Sequence, residues 1–188
     1  MRALALEATV GPTAKAGDLA AFELLMRQYE RLVLVTALRL LGNLDDAQDV
    51  AQEVFLKLFR NLGKVGARGG VSGWLYRVTV NACHDFRRKR HAEVPVENVA
   101  ELAAAPSGPG SDPQQAATEV ERRRVLELAL RMLSEKERAA LVLRDLEGLS
   151  TEEVARVLGS TQATVRSQIS KARVKVRDFL ERYFRRRT

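Results

Sequence analysis

The sequence predicts an all-α fold in which two small helical domains are joined by a flexible linker. Ala, Leu, Arg and Glu dominate the composition, and these residues favour helices. Apolar residues recur at steps of three and four in both halves, which is the period of a helix packed on one face. A segment rich in proline, glycine and alanine interrupts this pattern near the middle, and it cannot bury enough apolar surface to fold alone.

These patterns divide the chain into four parts. We expect a loose arm over residues 1–17 and a first helical domain over 18–92. The linker is expected over 93–118, around Ser107–Ser111 and its flanking prolines, and the second helical domain over 119–188. The short apolar run Leu32–Thr36 resembles a strand in isolation but lies inside a longer helical pattern.

The composition excludes several functional classes. No apolar run approaches the ~20 residues that span a bilayer, and the N-terminus carries no signal-peptide pattern. Cys83 is the single cysteine, so neither an internal disulfide nor a cysteine-based zinc site is available. Neither domain contains a nucleophile–base pair or metal-ligand spacing. We therefore expect a cytoplasmic protein that is not an enzyme, with no cofactor, no metal, no small-molecule substrate and no membrane insertion.

Residues Asp45–Phe59 of the first domain predict an amphipathic helix. One face is apolar, and the polar residues Asp49, Gln52 and Glu53 project elsewhere. Their carboxylates could simply favour the helix dipole, or the polar face could dock a protein partner. The spacing leaves both readings open. The apolar face consists of Ala47, Val50, Ala51, Val54 and Leu58.

Residues Trp74–Arg90 predict a second amphipathic helix, with Trp74 as a core anchor. Its buried side is expected to contain Leu75, Val78, Ala82 and Phe86. A polar and basic stripe suits phosphate and base contacts, and it consists of Arg77, Asn81, His84 and Arg88. The preceding segment 63–73 holds five glycines and is expected to be a loop that contacts an unpaired strand or merely connects two helices.

The second domain contains the most informative segment, Leu149–Arg173. Ser150 and Glu153 form a capping-box pattern, Gly159 permits a left-handed turn, and Ser160 or Thr161 can cap the next helix. Two short helices hinged in this way predict a helix-turn-helix, which places its second helix in the major groove of DNA. The apolar stripe of that second helix is Val165, Ile169, Ala172, Val176 and Leu180.

Charge favours DNA binding by this segment. Residues 163–188 contain nine Lys/Arg and two Asp/Glu, a difference of +7, and the whole chain also sums to +7. The excess of positive charge therefore lies on and after the proposed recognition helix, where it attracts phosphates through counterion release. A surface hairpin with solvated charges is the plain alternative. The polar face of the helix carries Arg166, Ser167, Ser170, Lys171 and Arg173.

Taken in order, these motifs resemble the extracytoplasmic-function (group four) sigma factors of bacterial RNA polymerase. The motifs are the Asp49–Phe55 helix, the Trp74–Leu75 helix with Asn81 and Asp85, the linker, and Leu146–Ser150 followed by the helix-turn-helix. The resemblance covers about residues 18–92 and 119–183. It implies sigma domain two, a helical bundle, at the N-terminal side and sigma domain four, the helix-turn-helix, at the C-terminal side. The implied partners are core RNA polymerase (the β′ clamp helices and the β subunit), promoter DNA and an anti-sigma factor.

The resemblance also implies roles for individual residues. Asp49, Gln52 and Glu53 match the positions that dock on the β′ clamp helices. The segment from Lys64 to Ser72, with Arg68, matches the loop that captures a flipped-out base of the −10 element, and Arg77, Asn81 and Arg88 match the −10 helix. The −35 reading face is implied to be Arg166, Ser167, Ser170 and Lys171, with Arg144 and Thr151 at backbone-contacting positions.

This sequence departs from the family pattern at Ala163, Gln168 and Ser170, so its −35 preference cannot be copied from relatives.

Two other classes of protein stay open. A transcription regulator would use the first domain as a sensor, and a helical interaction protein would restrain a partner without binding DNA. An open pocket in the first domain would favour the regulator, whereas an exposed Asp49/Gln52/Glu53 face would favour the sigma factor.

Overall fold

The structure is a computed structural model that describes residues 19–65, 70–93 and 113–185. The N-terminal domain contains α1 (Leu19–Leu41), α2 (Leu44–Asn61), a 3₁₀ turn (Leu62–Lys64) and α3 (Gly70–Glu93). The C-terminal domain contains α4 (Pro113–Arg131), α5 (Glu135–Leu141), a π-helical turn (Val142–Leu146), α6 (Thr151–Leu158) and α7 (Gln162–Arg185). All regular elements in these ranges are helical, which confirms the predicted fold class. The predicted arm and most of the predicted linker lie outside the described residues.

The N-terminal domain is a three-helix bundle in which α1, α2 and α3 pack against one another. Helix α2 begins at the N-cap Asn43, whose side chain accepts a hydrogen bond from the backbone N–H of Asp46 at 3.0 Å. The predicted apolar face of this helix is confirmed, because all five of its members are buried: Ala47, Val50, Ala51, Val54 and Leu58. The Leu32–Thr36 run lies within α1, as its helical surroundings predicted.

The prediction of a loop over residues 63–73 is wrong for the last four residues. Residues Gly70–Gly73 form the first turn of α3. Gly70 has φ +74°, which a glycine adopts at no steric cost, and the next side chain, Val71, is 1% exposed. Burial of Val71 anchors a helical turn that the glycine content alone disfavours. Residues 66–69 lie outside the described residues.

The two domains pack against each other, which the sequence analysis did not anticipate. Helix α3 packs on α6, and the C-terminal end of α1 contacts α4, α5 and the π-helical turn. Buried apolar residues of both domains form one continuous cluster. The residues predicted to bind the −10 element and those predicted to bind the −35 element therefore lie on two domains that are packed together in this structure.

Arg138 on α5 is the most deeply buried cation of this interface, at 6% exposure. Its Nη1 donates to the carbonyl of Leu40 in α1 at 2.8 Å, and its Nε donates to the carbonyl of Leu130 in α4 at 2.8 Å. Nη2 donates to the carbonyls of Arg131 (3.4 Å) and Leu133 (3.3 Å). Burial lowers the pKa of Arg138 to about 10, so the group stays charged at neutral pH. One side chain thus satisfies carbonyls at the ends of two helices.

Replacing Arg138 with methionine should destabilise the folded chain strongly. The substitution keeps an apolar stem but leaves buried carbonyls without donors, at about 2–4 kcal/mol in the free energy of unfolding. Urea denaturation followed by circular dichroism measures this loss. The matched control Arg124→Met, at an exposed arginine of α4, should change the free energy by less than about 0.5 kcal/mol. Equal stability of the two variants would contradict the role given to Arg138.

Candidate nucleic-acid interface

The helix-turn-helix is built by the caps that the sequence predicted. The Ser150 Oγ accepts from the backbone N–H of Glu153 at 3.2 Å, and the Glu153 carboxylate accepts from the backbone N–H of Ser150 at 2.8 Å. These hydrogen bonds lower the pKa of Glu153. Gly159 ends α6 in the left-handed region at φ +58°. Thr161 is the side chain that caps α7, because its Oγ1 accepts from the backbone N–H of Thr164 at 3.1 Å.

The predicted recognition face of α7 is open to solvent. Val165, Ile169 and Ala172 are at most 6% exposed and fix the inner side of the helix. All four predicted −35 residues are exposed on its outer side, and they are Arg166, Ser167, Ser170 and Lys171. Arg166 lies against Gln162 one turn earlier, with its Nη2 donating to the Gln162 Oε1 at 3.1 Å. The structure therefore brings this predicted set together on one accessible surface.

Two ion pairs hold α7 in place behind this face. Arg173 makes a two-point contact with Asp145 of the π-helical turn, at 2.8 and 2.7 Å. Lys175 donates to both carboxylate oxygens of Glu137, whose side chain is 7% exposed, at 2.9 and 2.7 Å. The Lys175 hydrogen bond lowers the pKa of Glu137, and the Asp145 hydrogen bond raises the pKa of Arg173. The planar two-point contact of Arg173 with Asp145 fixes orientation as well as distance.

The two predicted backbone-contacting positions lie at the start of the helix-turn-helix. Thr151 is half-buried in the first turn of α6. Arg144 is also half-buried, and its Nη1 donates to the carbonyl of Leu149 at 3.1 Å. In this structure Arg144 therefore orders the segment that leads into α6.

Helix α3 presents the predicted −10 residues on one exposed stripe. Arg77, Asn81 and Arg88 are all exposed, and Arg88 also donates to Asp85 at 3.0 Å. Lys64 is exposed on the 3₁₀ turn, and Arg68 lies outside the described residues. The predicted inner side is confirmed for Leu75 and Ala82, each 0% exposed, while Val78 and Phe86 pack at its edge.

The polar face of α2 lies on a different helix from the α3 stripe and the α7 face. Asp49 and Gln52 are exposed, and the Glu53 side chain is 46% exposed and pairs with Lys57 at 2.6 Å. Leu56, one turn after Gln52, is 56% exposed on the same helix. Leu56 therefore adds apolar surface beside these polar residues. Leu56 is not among the residues predicted from the sequence, although it lies one turn from Gln52.

Cys83 is a buried thiol. It is 3% exposed and lines a small cavity between the domains together with Val80, Leu40 and Arg138. Burial raises its pKa to about 12. Among the residues that the structure describes, no cluster of His, Cys, Asp or Glu could hold a metal ion. No helix in the described ranges is long and apolar enough to cross a membrane.

Sequence reasoning missed the residues that join the domains. Glu147 accepts from Arg39 of α1 at 2.6 Å and from the Tyr76 hydroxyl of α3 at 3.1 Å. Glu135 accepts from His84 at 3.1 Å. No local pattern marks these partners, since they lie far apart along the chain. The second capping box, Ser134 with Glu137, could have been found by the same spacing as the first.

An exposed, cation-bearing recognition helix projected by a helix-turn-helix defines the class of protein, which is a DNA-binding transcription factor. Two protein families match the chain. Sigma-70 region 2 matches residues 25–93, and Sigma-70 region 4 matches residues 123–176. The two matches coincide with the N-terminal and C-terminal domains.

Relatives agree with these families. The ECF RNA polymerase sigma factor SigE of Mycolicibacterium smegmatis is 36% identical over 170 residues, which cover 89% of this chain and 65% of that relative. The RNA polymerase sigma-H factor of Pseudomonas aeruginosa is 35% identical over 163 residues, covering 84% of each chain. The ECF sigma-E factor of Escherichia coli is 32% identical over 163 residues, covering 84% of this chain and 85% of that one.

Solved structures are similar as well. The sigma factor RpoE of Bartonella quintana, solved with the anti-sigma factor NepR, superposes with a TM-score of 0.68 at 25% identity, covering 85% of this chain and 96% of that chain. CnrH, solved with the cytosolic domain of CnrY, gives 0.65 at 25% identity, covering 94% and 96%. The chain belongs to the ECF subfamily of sigma-70 RNA polymerase sigma factors.

Proposed function

We propose that this chain recruits core RNA polymerase to two-part promoters through three surfaces. The Asp49/Gln52/Glu53 face of α2 docks on the β′ clamp helices. Lys64, Arg68 and the α3 stripe of Arg77, Asn81 and Arg88 bind the −10 element and favour strand opening. The C-terminal domain binds the −35 element through Arg166, Ser167, Ser170 and Lys171, with Arg144 and Thr151 beside the DNA backbone.

The observation that carries this proposal is that Asp49 and Gln52 on α2, the α3 stripe, and the four-residue face of α7 are all exposed, on different elements. The α7 face is a basic surface with serines, which suits phosphate and base-edge contacts in the major groove. The α2 face carries carboxylates and therefore repels DNA but can meet a basic protein surface. Exposure of the α2 face is the feature that separates a sigma factor from a regulator with an N-terminal sensor domain.

Two further assignments rest on the relatives. RpoE and CnrH are each solved with a partner, and the partner of RpoE is an anti-sigma factor. We infer that an anti-sigma factor also restrains this chain. Because core polymerase and chromosomal DNA are its proposed partners, the chain is proposed to work in the cytoplasm.

The docking surface is tested by Gln52→Ala combined with Glu53→Ala. Affinity for purified core polymerase should fall by roughly tenfold or more, because two polar contacts are removed from the centre of the surface. Folding should be retained, since Gln52 is exposed and a surface pair such as Glu53–Lys57 contributes only about 0.3–0.5 kcal/mol. Fluorescence anisotropy with labelled protein measures the affinity.

A double variant on α1, Glu23→Ala with Glu30→Ala, is the matched control. Both glutamates are exposed and lie on another helix. Unchanged core affinity of this control, beside a loss for the α2 variant, assigns docking to α2. Equal affinities of the two variants would remove the α2 face from the docking surface.

The −35 surface is tested by Arg166→Ala. If Arg166 reads a base, affinity for the preferred −35 sequence should fall by roughly 1–3 kcal/mol, with a smaller loss on unrelated DNA. Electrophoretic mobility shifts with the holoenzyme on both DNAs measure the difference. The control is Arg182→Ala, at an exposed arginine far along α7, which should not change sequence preference. A uniform loss on every sequence would make Arg166 a phosphate contact instead.

A further inference from the structure

The predicted −35 face of α7 consists of two adjacent rows of side chains. Residues four apart lie above one another on a helix, so Arg166 and Ser170 form one row and Ser167 and Lys171 form the next. One turn toward the start of the helix, the first row continues to Gln162, which is also exposed. Gln162 therefore begins the row that contains Arg166, although it is not among the residues predicted to bind DNA.

Gln162 occupies the part of α7 that is best placed to reach bases. It is the first residue of the helix, and the N-terminal residues of a recognition helix are those that contact base edges in the major groove. The cap at Thr161 fixes this turn, since its Oγ1 accepts from the N–H of Thr164 at 3.1 Å and its carbonyl accepts from the N–H of Val165 at 3.0 Å. The backbone beneath Gln162 is thus ordered although the side chain is exposed.

The Gln162 side chain orients Arg166. The Arg166 Nη2 donates to the Gln162 Oε1 at 3.1 Å. In the part of the chain that the structure describes, Arg166 pairs with no carboxylate, whereas Arg173 and Lys175 each bind one. A neutral acceptor fixes the guanidinium without cancelling its charge. Because a guanidinium has five N–H donors, most of them stay available for a guanine edge or a phosphate.

The other end of the Gln162 amide is left to meet a base. Since Oε1 accepts from Arg166, the NH₂ group is the free end, and one oxygen lone pair also remains. Adenine matches this pair of groups, because its N7 accepts and its N6 donates. Cytosine offers only the N4 donor in the major groove, so it leaves the amide NH₂ without an acceptor. The chemistry of the side chain therefore favours adenine and disfavours cytosine.

We propose that Gln162 is a specificity-determining residue of the −35 face, which orients Arg166 through its amide oxygen and reads an adenine beside the base that Arg166 reads. Four residues advance about 6 Å along a helix and base pairs are about 3.4 Å apart, so the two bases lie one or two pairs from each other. This inference rests on the proposed function, because it requires α7 to lie in the major groove. The alternative is a surface pair that supports only the helix.

The test uses holoenzyme made from the full-length chain and core polymerase. Its probe is a library of duplex promoters with randomised −35 regions, and sequencing of the bound DNA gives the base preference at every position. Arg166→Ala identifies the position that Arg166 reads. Gln162→Ala should lower the preference for adenine over cytosine at a neighbouring position by at least about fivefold. It should also weaken the preference at the Arg166 position by about twofold, because the guanidinium loses its orientation.

A control variant lies on the same helix. Glu181 is exposed about five turns after Gln162, outside the proposed reading face. Glu181→Ala should leave the base preference unchanged at both positions. Circular dichroism of each variant should match the wild type, since both side chains are exposed.

Gln162→Glu gives the sharpest result. A glutamate can still accept from Arg166, but it has no donor, and it accepts from the N4 of cytosine. The preference at the Gln162 position should therefore switch from adenine to cytosine, while the preference at the Arg166 position is kept. A carboxylate in the first turn also favours the helix dipole, so this variant should fold. A residue that only supports the helix would not change the preference at one base pair.

The possible failures are distinguishable. If the wild-type holoenzyme selects a −35 sequence and both Gln162 variants select the same one, the inference is wrong and the proposed function stands. An equal loss of affinity on every sequence would make Gln162 a phosphate contact and would also overturn the inference. A wild-type holoenzyme that selects no −35 sequence would instead overturn the proposed role of α7, and the inference with it.

Discussion

The C-terminal end of α1 is the point on which the arrangement of the two domains depends. Its Leu40 carbonyl accepts two hydrogen bonds. Arg87 Nη2 of the N-terminal domain donates at 2.5 Å, and Arg138 Nη1 of the C-terminal domain donates at 2.8 Å. Arg138 is buried, and its guanidinium is tolerated because each of its three nitrogens donates to a carbonyl oxygen. One helix end thus orders α4, α5 and the joint between the domains.

The surfaces that are proposed to bind partners are kept apart from the surfaces that join the two domains. Helix α3 divides its circumference among the core of the bundle, the exposed stripe that is proposed to bind the −10 element, and the face that carries the C-terminal domain. Helix α7 buries Val165, Ile169 and Ala172 and leaves its cations outside. Because the buried residues of a helix lie on defined sides, substitutions on its exposed sides leave the core unchanged. This separation leaves room on a chain of 188 residues for the three proposed binding surfaces.

Local structure was predictable from sequence, whereas contacts between distant residues were not. The buried stripe of α2, the Ser150/Glu153 caps and the Gly159 turn all follow from spacings within a few residues. The bonds from Arg138 to Leu40 and from Arg39 to Glu147 join residues 98 and 108 positions apart. No periodicity encodes such pairs, because they arise only when two folded units meet. The predicted loop at Gly70–Gly73 is wrong for a related reason. Burial of Val71 depends on tertiary packing, and it outweighs the low helix propensity of glycine.

The central claim is that this chain directs core RNA polymerase to promoters. Reconstituted transcription tests it most directly: purified chain and core polymerase are combined with a library of two-element promoters, and transcripts are sequenced at their 5′ ends. We expect discrete start sites that share upstream −35 and −10 sequences and vanish when the chain is omitted. If the chain neither associates with core polymerase nor produces any such start site, it is not a sigma factor for that polymerase.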